Sequence, residues 1–452
     1  MANPTRGLCV PPFVSIPSTF RNEVEMRLRW VLLLAFLMCV LMATRSKAQG
    51  SDSPKQDLVT TTVTHYTLPP DKLEKAHALY TVRTTMHFGE TIYGIVLLVL
   101  ILRFGINGKF RDLAERMSGN RFLQACIFVP LLTIVLDGLG LPFGIYSHSL
   151  SLKYGLSVQK WGSWFWDWTK GELIGIVVGA LLVAVLYWLI RVSPARWWFY
   201  AWLLCLPFLV LVIWAVPVVL DPLFNKFEPL AKDHQDLVEA TQKVAKAAGV
   251  EITPDRMFLM KASEKVTTAN AYVTGLGSTK RVVIWDTTPR QMTTPQTTFV
   301  IAHEMGHYVL NHIYKGLAFA AVLMFFGFYI VYRTMNWFVA RWGASTDIRA
   351  VWDWASLPAL MLVASLIGFA TEPIASTFSR TQIEHKADEY GLKITSQITP
   401  DYRQVAAQGF QSLGEHSLSY PYPSRLMVVW LYDHPDVSSR VDYALQYEPG
   451  KE

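Results

Sequence analysis

Long apolar runs recur along this 452-residue chain and restrict its folding more than any other feature. The hydrocarbon core of a bilayer is about 30 Å thick and needs roughly 20 apolar residues per helical span. Hydrophobic residues make up 52% of the sequence and charged residues only 17%, which is too apolar for an ordinary soluble enzyme of this size. We therefore expect a mainly α-helical, polytopic membrane protein. The candidate spans lie at 88–106, 122–147, 172–191, 197–219, 316–338 and 356–374.

The first 48 residues have the character of a leader. A basic stretch at 26–29 precedes an apolar run at 30–43, and small residues follow at 46–48, as in a secretory signal peptide. An uncleaved first membrane helix is the alternative, because Arg45 and Lys47 are unusual so close to a cleavage site. The sequence leaves both interpretations open, so the number of spans is six or seven.

Polar stretches divide the rest of the chain. Residues 49–85 are polar, and we expect them to be exposed to water, with the prolines at 69–70 breaking any helix. The polar stretch beginning at 221 predicts an amphipathic helix at 231–249 and strands at 257–260 and 281–285. The expected portions are a leader (1–48), a membrane region with four spans (49–220), a soluble protease portion (221–312), two further spans (313–378) and a C-terminal portion (379–452).

The net charge and the cysteines each argue against another class of function. The net charge of +6 is not accompanied by any Lys/Arg run beside a nucleic-acid-binding motif, so we assign it to loops beside the membrane and expect no nucleic-acid partner. The four cysteines form no C-x-x-C pair, which argues against both a disulfide framework and a thiolate zinc site.

The strongest chemical signal is the H-E-x-x-H motif of residues 303–307, which lies in a helix-compatible stretch. On an α-helix, His303 and His307 are one turn apart, about 6 Å along the axis, so both imidazoles can bind one ion. Glu304 lies beside them and is expected to activate the attacking water as a base. Gly306 is expected to leave room near the metal. The motif predicts a metallopeptidase with one Zn²⁺ per chain.

A catalytic zinc site normally has three protein ligands and one open position. We predict Glu384 as the third ligand, with Asp388 one helical turn later accepting a hydrogen bond from a ligand histidine and fixing its tautomer. His385 is the competing candidate, but it points about 100° away from Glu384 around the helix. His312 follows His307 by five residues, off the ligand face, and is interpreted as a polar residue at a helix end.

Two metal motifs in this order, residues 303–312 and 379–388, resemble those of the type I CAAX prenyl proteases, which are integral-membrane zinc endopeptidases of the gluzincin group. Residues 222–230 are similar to the entry into that family's catalytic domain, and 270–275 to its substrate-side strand. The stretch 434–440 resembles its C-terminal signature. The resemblance extends from about residue 78 to 445.

This resemblance implies a ring of seven helices around an intramembrane chamber, capped by a zincin-like α+β protease domain. It also implies that Asn270 and Ala271 pair with the substrate backbone as an edge strand, and that His434 and Arg440 stabilise the developing oxyanion or the substrate carbonyl. The implied partners are the lipid bilayer and a peptide or membrane-protein substrate, with or without a lipid group. The oligomeric state stays open.

Several alternatives also stay open. Prenyl processing is characteristic of eukaryotes, whereas a signal-like leader and short loops look bacterial, so turnover of misfolded membrane proteins in a bacterial inner membrane competes with CAAX-type processing. A transporter with a structural zinc site is the alternative outside the enzymes. Structural zinc sites are filled by four Cys or His ligands, and the sequence offers no fourth ligand.

The side of the membrane that the active site faces is predicted differently by two arguments. The loop at 103–121 holds five basic residues and two acidic residues, so the positive-inside rule places it in the cytoplasm. Counting spans from that loop predicts an extracytoplasmic active site. The resemblance to the prenyl proteases instead implies a catalytic domain in the cytosol.

Overall fold

Helices make up most of the structure, a computed structural model that describes residues 58–275 and 279–450. Those of seven residues or more are α1 (Pro70–Arg103), α2 (Ile106–Met117), α3 (Arg121–Lys153), α4 (Trp161–Val192), α5 (Trp197–Ala215), α6 (Gln235–Ala247), α7 (Thr294–Val309), α8 (His312–Trp342), α9 (Leu357–Phe378), α10 (His385–Ser396), α11 (Tyr402–Ser417), α12 (Arg425–Leu431) and α13 (Val437–Gln446). A π-helical turn, Ser379–Glu384, joins α9 to α10, and another, Val216–Leu220, follows α5.

Six helical segments among the described residues are long and apolar enough to cross a membrane. They comprise α1, α3, α4, the stretch Trp197–Phe224, α8 and the stretch Trp354–Ser396. Each coincides with one of the six predicted spans, so that prediction is confirmed. The leader at 1–48 lies outside the described residues. Prolines inside α3, α5 and α9 are tolerated because neighbouring membrane helices can satisfy the freed backbone groups.

The segment before α1 corrects part of an expectation. Most of residues 58–69 are exposed, as expected, but Val63, Tyr66 and Leu68 are buried against the protease portion, and the Tyr66 hydroxyl donates to the Ser419 carbonyl. The Gln404 side chain exchanges two hydrogen bonds with the Val63 backbone. Pro70 begins α1 instead of breaking it, since proline in the first turn of a helix lacks only an N–H that has no intrahelical partner.

A four-stranded sheet supports the protease portion. Its strands are β1 (Phe227–Pro229), β2 (Met257–Met260), β3 (Ala271–Thr274) and β4 (Arg281–Trp285), in the spatial order β1-β2-β4-β3. The two predicted strands are β2 and β4, which pair in parallel, and β3 pairs antiparallel with β4. Strand β3 therefore forms one edge of the sheet, and it packs along α7.

The hydrophobic core of the protease portion also includes Ala76 and Leu79 of α1 and Leu150 of α3. Ile301, Ala302 and Met305 of α7 are fully buried and pack in one cluster with Met257 of β2 and Ile284 of β4. The predicted amphipathic helix is confirmed as α6, four residues shorter at its start and two at its end than the predicted 231–249. This packing holds the helix with the H-E-x-x-H motif against the sheet.

The loops at the opposite end of the spans are joined by ion pairs. Arg111 of α2 is 3% exposed, and its guanidinium binds both Asp347 and Asp353 from the connection between α8 and α9. Arg191 at the end of α4 donates to the Trp352 carbonyl in the same connection. The basic loop at 103–121 therefore lies at the end away from the protease portion.

A cavity of about 700 Å³ lies between α1, α3 and α9. Apolar side chains line most of it, but His87, Glu90, Asp137 and Glu372 also face it. The Trp430 indole of α12 donates a 2.9 Å hydrogen bond to Glu372, which connects the cavity wall to the C-terminal portion.

Candidate active site

Helix α7 places the two histidines of the H-E-x-x-H motif side by side. A capping box fixes its start, because the Thr293 hydroxyl accepts from the Gln296 backbone and the Gln296 side chain accepts from the Thr293 backbone. One turn apart near the other end of α7, the His303 and His307 rings have centroids 5.0 Å apart and Nε2 atoms 3.2 Å apart. The spacing predicted from the sequence therefore holds.

Glu384 comes to this pair from the π-helical turn between α9 and α10. Its Oε2 atom lies 3.4 Å from the His303 Nε2 and 3.5 Å from the His307 Nε2. A π-helical turn widens the helix locally and is frequent at functional sites. The competing candidate, His385, packs instead against the Tyr443 ring at a centroid distance of 4.6 Å. The structure thus brings together the three predicted ligands.

A tetrahedral zinc ion with ligands at about 2.0–2.2 Å separates its ligand atoms by roughly 3.3–3.6 Å. The three distances among the His303, His307 and Glu384 atoms are 3.2, 3.4 and 3.5 Å. Two imidazoles and one carboxylate are also the donor set of many catalytic zinc sites. The residues present therefore fit a zinc ion with one position left for substrate or water.

Asp388 contacts His303 at Nδ1, the ring nitrogen that does not face the ligand cluster. Its Oδ1 atom lies 2.8 Å from the His303 Nδ1, and its side chain is almost fully buried. Burial alone would lower the pKa of His303, but the hydrogen bonds to Asp388 and Glu384 outweigh it and raise that pKa to about 9. The positive charge that the site favours at His303 is one that a bound cation would supply instead.

Arg440 binds the carboxylate of Asp388. Its Nε and Nη2 atoms donate to the two carboxylate oxygens of Asp388 at 2.9 and 2.6 Å, and its guanidinium lies over the Phe410 ring. This bidentate pair holds Arg440 against the carboxylate that orients His303. The expected role of Arg440 at the substrate carbonyl stays a prediction.

Glu304 and His434 lie on the open side of the cluster. The Glu304 Oε1 atom is 3.9 Å from the His303 Nε2 and its side chain is partly exposed. The His434 Nε2 lies 3.0 Å from the Glu384 Oε2, while its Nδ1 contacts Asp433. Burial lowers the pKa of His434, but these two carboxylates outweigh it and raise that pKa to about 9.

Asn270 immediately precedes the edge strand β3. Its side-chain oxygen accepts from the Ala271 N–H at 2.8 Å, and its carbonyl accepts from Trp285 and Thr288. Asn270 itself is exposed, whereas Ala271 is buried. Strand β3 lies at an edge of the sheet and packs against α7, and the Ala271 N–H already has a partner; the expected substrate contacts of Asn270 and Ala271 stay a prediction.

Comparison with known proteins decides the family. A model described as "CAAX prenyl protease N-terminal, five membrane helices" matches residues 55–226, and the model of peptidase family M48 matches residues 231–448. The metalloprotease YhfN of Bacillus subtilis is 33% identical over 85% of this chain and 88% of its own length. The chain belongs to peptidase family M48. It is therefore a multi-pass membrane metalloendopeptidase, as the sequence predicts.

More distant relatives of this M48 peptidase include CAAX prenyl protease 1 of Saccharomyces cerevisiae, which is 27% identical over 72% of each chain. The crystal structure of S. mikatae Ste24p has a TM-score of 0.72 and covers 92% of this chain and 97% of that chain, at 21% identity. The M48 peptidase thus has the same fold as Ste24p.

One contact in the site of the M48 peptidase, between His312 and His307, was not predicted from the sequence. His312 is 4% exposed, and its Nδ1 lies 3.1 Å from the Nδ1 of His307. The signal that could have revealed it is Asn311, because asparagine tolerates the left-handed backbone conformation that ends a helix abruptly.

Proposed function

We propose that this M48 peptidase hydrolyses peptide bonds with one zinc ion held by His303, His307 and Glu384. The observation that carries the proposal is the convergence of one atom from each side chain at mutual distances of 3.2–3.5 Å. Paired imidazoles favour zinc over calcium or magnesium, which prefer oxygen ligands.

When bound, zinc would supply Lewis-acid polarisation of the scissile carbonyl and lower the pKa of the attacking water. Glu304 is proposed to take the proton from that water and to return it to the leaving amine. Its carboxylate is well placed because it lies beside the ligand cluster at 3.9 Å from the His303 Nε2 and is partly open to incoming groups. Such general acid–base catalysis contributes typically about 10²–10⁴-fold to the rate.

His434 is proposed to stabilise the negative charge that develops on the substrate carbonyl oxygen. The neighbouring carboxylates of Asp433 and Glu384 outweigh the effect of burial and raise the pKa of this imidazole to about 9, and the side chain is nearly half exposed beside Glu384. A positive donor aimed at a developing oxyanion is among the most effective catalytic devices. For Arg440, we propose a different role from the expected one: it positions Asp388, which in turn orients His303.

The substrate backbone is proposed to add to β3 as a further strand. This is supported by the edge position of β3, its packing along α7 and the exposure of Asn270 at its start. Edge strands recognise extended peptides through main-chain hydrogen bonds. Because the Asn270 side chain already binds the Ala271 N–H, we propose that the strand beyond Ala271 supplies most of the pairing.

The proposed substrates are peptides of membrane-associated proteins in a bacterial inner membrane. The name of the yeast relative supports CAAX-type processing, and the mostly apolar cavity between α1, α3 and α9 offers room for the lipid group of a lipid-linked peptide. Turnover of misfolded membrane proteins is the competing function, supported by the bacterial relative. Capture of substrates on an inactive variant in native membranes, followed by their identification, would distinguish the two.

Metal content measured beside peptide cleavage tests the proposed function. Glu304→Gln should abolish cleavage and keep one zinc per chain, because it removes the base and leaves all three ligands. Glu384→Ala should lose both zinc and cleavage. His385→Ala is the matched control, since the neighbouring histidine packs on Tyr443, and it should retain zinc. Full cleavage by the Glu304 variant would rule out the proposed mechanism.

A further inference from the structure

The connection between α7 and α8 contains an abrupt change of backbone direction. Helix α7 ends at Val309, and α8 begins at His312. Between them, Asn311 has φ 58° and ψ 37°, the left-handed conformation that few residues other than glycine adopt. In an uninterrupted helix, His312 would point about 140° away from His307 around the axis. The break returns the His312 ring to within 5.1 Å of the His307 ring, centroid to centroid.

The two nitrogens of His307 face different partners. Its Nε2 faces His303 and Glu384 at 3.2 and 3.5 Å, and its Nδ1 faces the Nδ1 of His312 at 3.1 Å. A neutral imidazole that gives the lone pair of Nε2 to a cation carries its hydrogen on Nδ1. The His307 Nδ1–H would then donate, and the His312 Nδ1 would accept.

We propose that His312 is a positioning residue for the metal site: it accepts the hydrogen bond from the His307 Nδ1–H and thereby fixes the tautomer and ring orientation of that ligand. The inference rests on the proposed zinc site. His312 has the same relation to His307 that Asp388 has to His303, with a neutral acceptor replacing a carboxylate. In both metal-binding imidazoles, the Nδ1 atom then contacts a side chain that fixes the orientation of the ring.

The burial of His312 supports this role. At 4% exposure it is more enclosed than a polar residue at a solvated helix end, and its contact is made to a metal-site residue. A purely structural residue would alter the stability of the α7–α8 connection without altering the electronic surroundings of the metal.

Two substitutions of His312 separate these roles. His312→Leu removes the acceptor at similar volume, whereas His312→Asn keeps an acceptor oxygen near the position of Nδ1. The full-length chain in detergent would be stripped of metal and titrated with zinc against a chelator, and with Co²⁺ while its visible absorption spectrum is recorded. Loss of an outer partner of a metal ligand typically weakens metal binding about 10–100-fold. We expect that loss and a shifted cobalt spectrum for His312→Leu, with recovery of both towards the parent values in His312→Asn.

Asn311 supplies an independent pair in case His312→Leu does not fold. Asn311→Gly keeps the left-handed conformation and should keep the parent zinc affinity, whereas Asn311→Val opposes it and should weaken zinc binding although His312 is intact. Parent-like zinc affinity and an unchanged cobalt spectrum in His312→Leu, or in Asn311→Val, would overturn the role of His312 and leave the proposed function standing. Failure of the parent chain to bind zinc would overturn both.

Discussion

At the scale of single residues, a series of ionic and hydrogen-bonding contacts leads from Arg440 through Asp388 to the imidazole of His303. Arg440 binds Asp388 through two hydrogen bonds, and Asp388 binds the Nδ1 of His303. The charge-assisted, bidentate geometry makes this pair strong and directional. Because the Asp388 carboxylate is buried, losing either of its partners would leave it poorly compensated. The orientation of a metal ligand therefore depends on a guanidinium that does not itself contact the ligand cluster.

This arrangement predicts how Asp388 and Arg440 differ in their effect on zinc binding. Asp388→Ala should weaken zinc binding by about 10–100-fold, because it removes the direct partner of His303. Arg440→Ala should also weaken it, but less, since Asp388 stays in place. Zinc dissociation constants from chelator competition, with rates of peptide cleavage at saturating zinc, would measure both. A lower turnover rate in Arg440→Ala with unchanged zinc affinity would instead place Arg440 at the substrate carbonyl.

Residue patterns in the sequence predict the metal ligands but not all of the side chains that orient them. His303 and His307 follow from helical spacing alone, and Glu384 with Asp388 follows from the same periodicity within residues 379–388. The Arg440–Asp388 pair joins residues 52 positions apart, and no local pattern reveals it. The contact between His312 and His307 depends on the left-handed backbone conformation of Asn311. Helical periodicity does not predict this conformation, because it assumes that the helix continues through Asn311.

At the scale of elements, the site depends on how closely α7 and α10 approach each other. The two helices cross where glycines replace side chains. A Cβ at Gly391 would lie 3.1 Å from the His303 backbone nitrogen, and a Cβ at Gly306 would lie 3.1 Å from Tyr390. Gly306 was expected to leave room for the metal, and the structure shows that it leaves room for α10 instead.

Gly391→Ala tests the crossing of α7 and α10. The added methyl group meets backbone atoms of His303, which cannot rotate away, so α10 must shift and carry Glu384 and Asp388 with it. We expect weaker zinc binding and slower cleavage. Gly409→Ala in α11 is the matched control, because its Cβ would have ordinary contacts of 3.5 Å and longer. Equal zinc affinities for the two variants would show that the helix spacing does not set the ligand geometry.

Elements with a regular apolar pattern were the easiest to predict. The six spans and the strands β2 and β4 follow from apolar length and alternation. The short connections were not predicted: Pro70 begins a helix, and the segment at 58–69 buries Tyr66 under hydrogen bonds to residues more than 300 positions later. Tertiary contacts of this kind have no local signature, since a polar segment on a protein surface has the same composition as one in water.

At the scale of the whole molecule, the protease portion and the basic loops lie at opposite ends of the spans. Ser157, in the connection after α3, bridges to Val266 of the protease portion, while Arg111 and Arg191 join the loops at the far end. The positive-inside rule applied to those loops predicts an extracytoplasmic active site.

Membrane-impermeant thiol labelling of intact cells would test this orientation. In a background without native cysteines, Lys109→Cys marks the basic loop and Glu239→Cys marks α6, and both positions are exposed. We expect labelling at position 239 in intact cells and at position 109 only after permeabilisation. The reverse pattern would place the active site in the cytosol and favour the processing of prenylated proteins.

The central claim is that zinc is held by two histidines of α7 and one glutamate that precedes α10. Anomalous scattering from crystals of the full-length chain, measured on both sides of the zinc absorption edge, tests it most directly. The account predicts a single zinc peak per chain, about 2.0–2.2 Å from the Nε2 atoms of His303 and His307 and from a carboxylate oxygen of Glu384. A zinc peak ligated by other residues, or no peak at this cluster in a preparation that cleaves peptides, would contradict it.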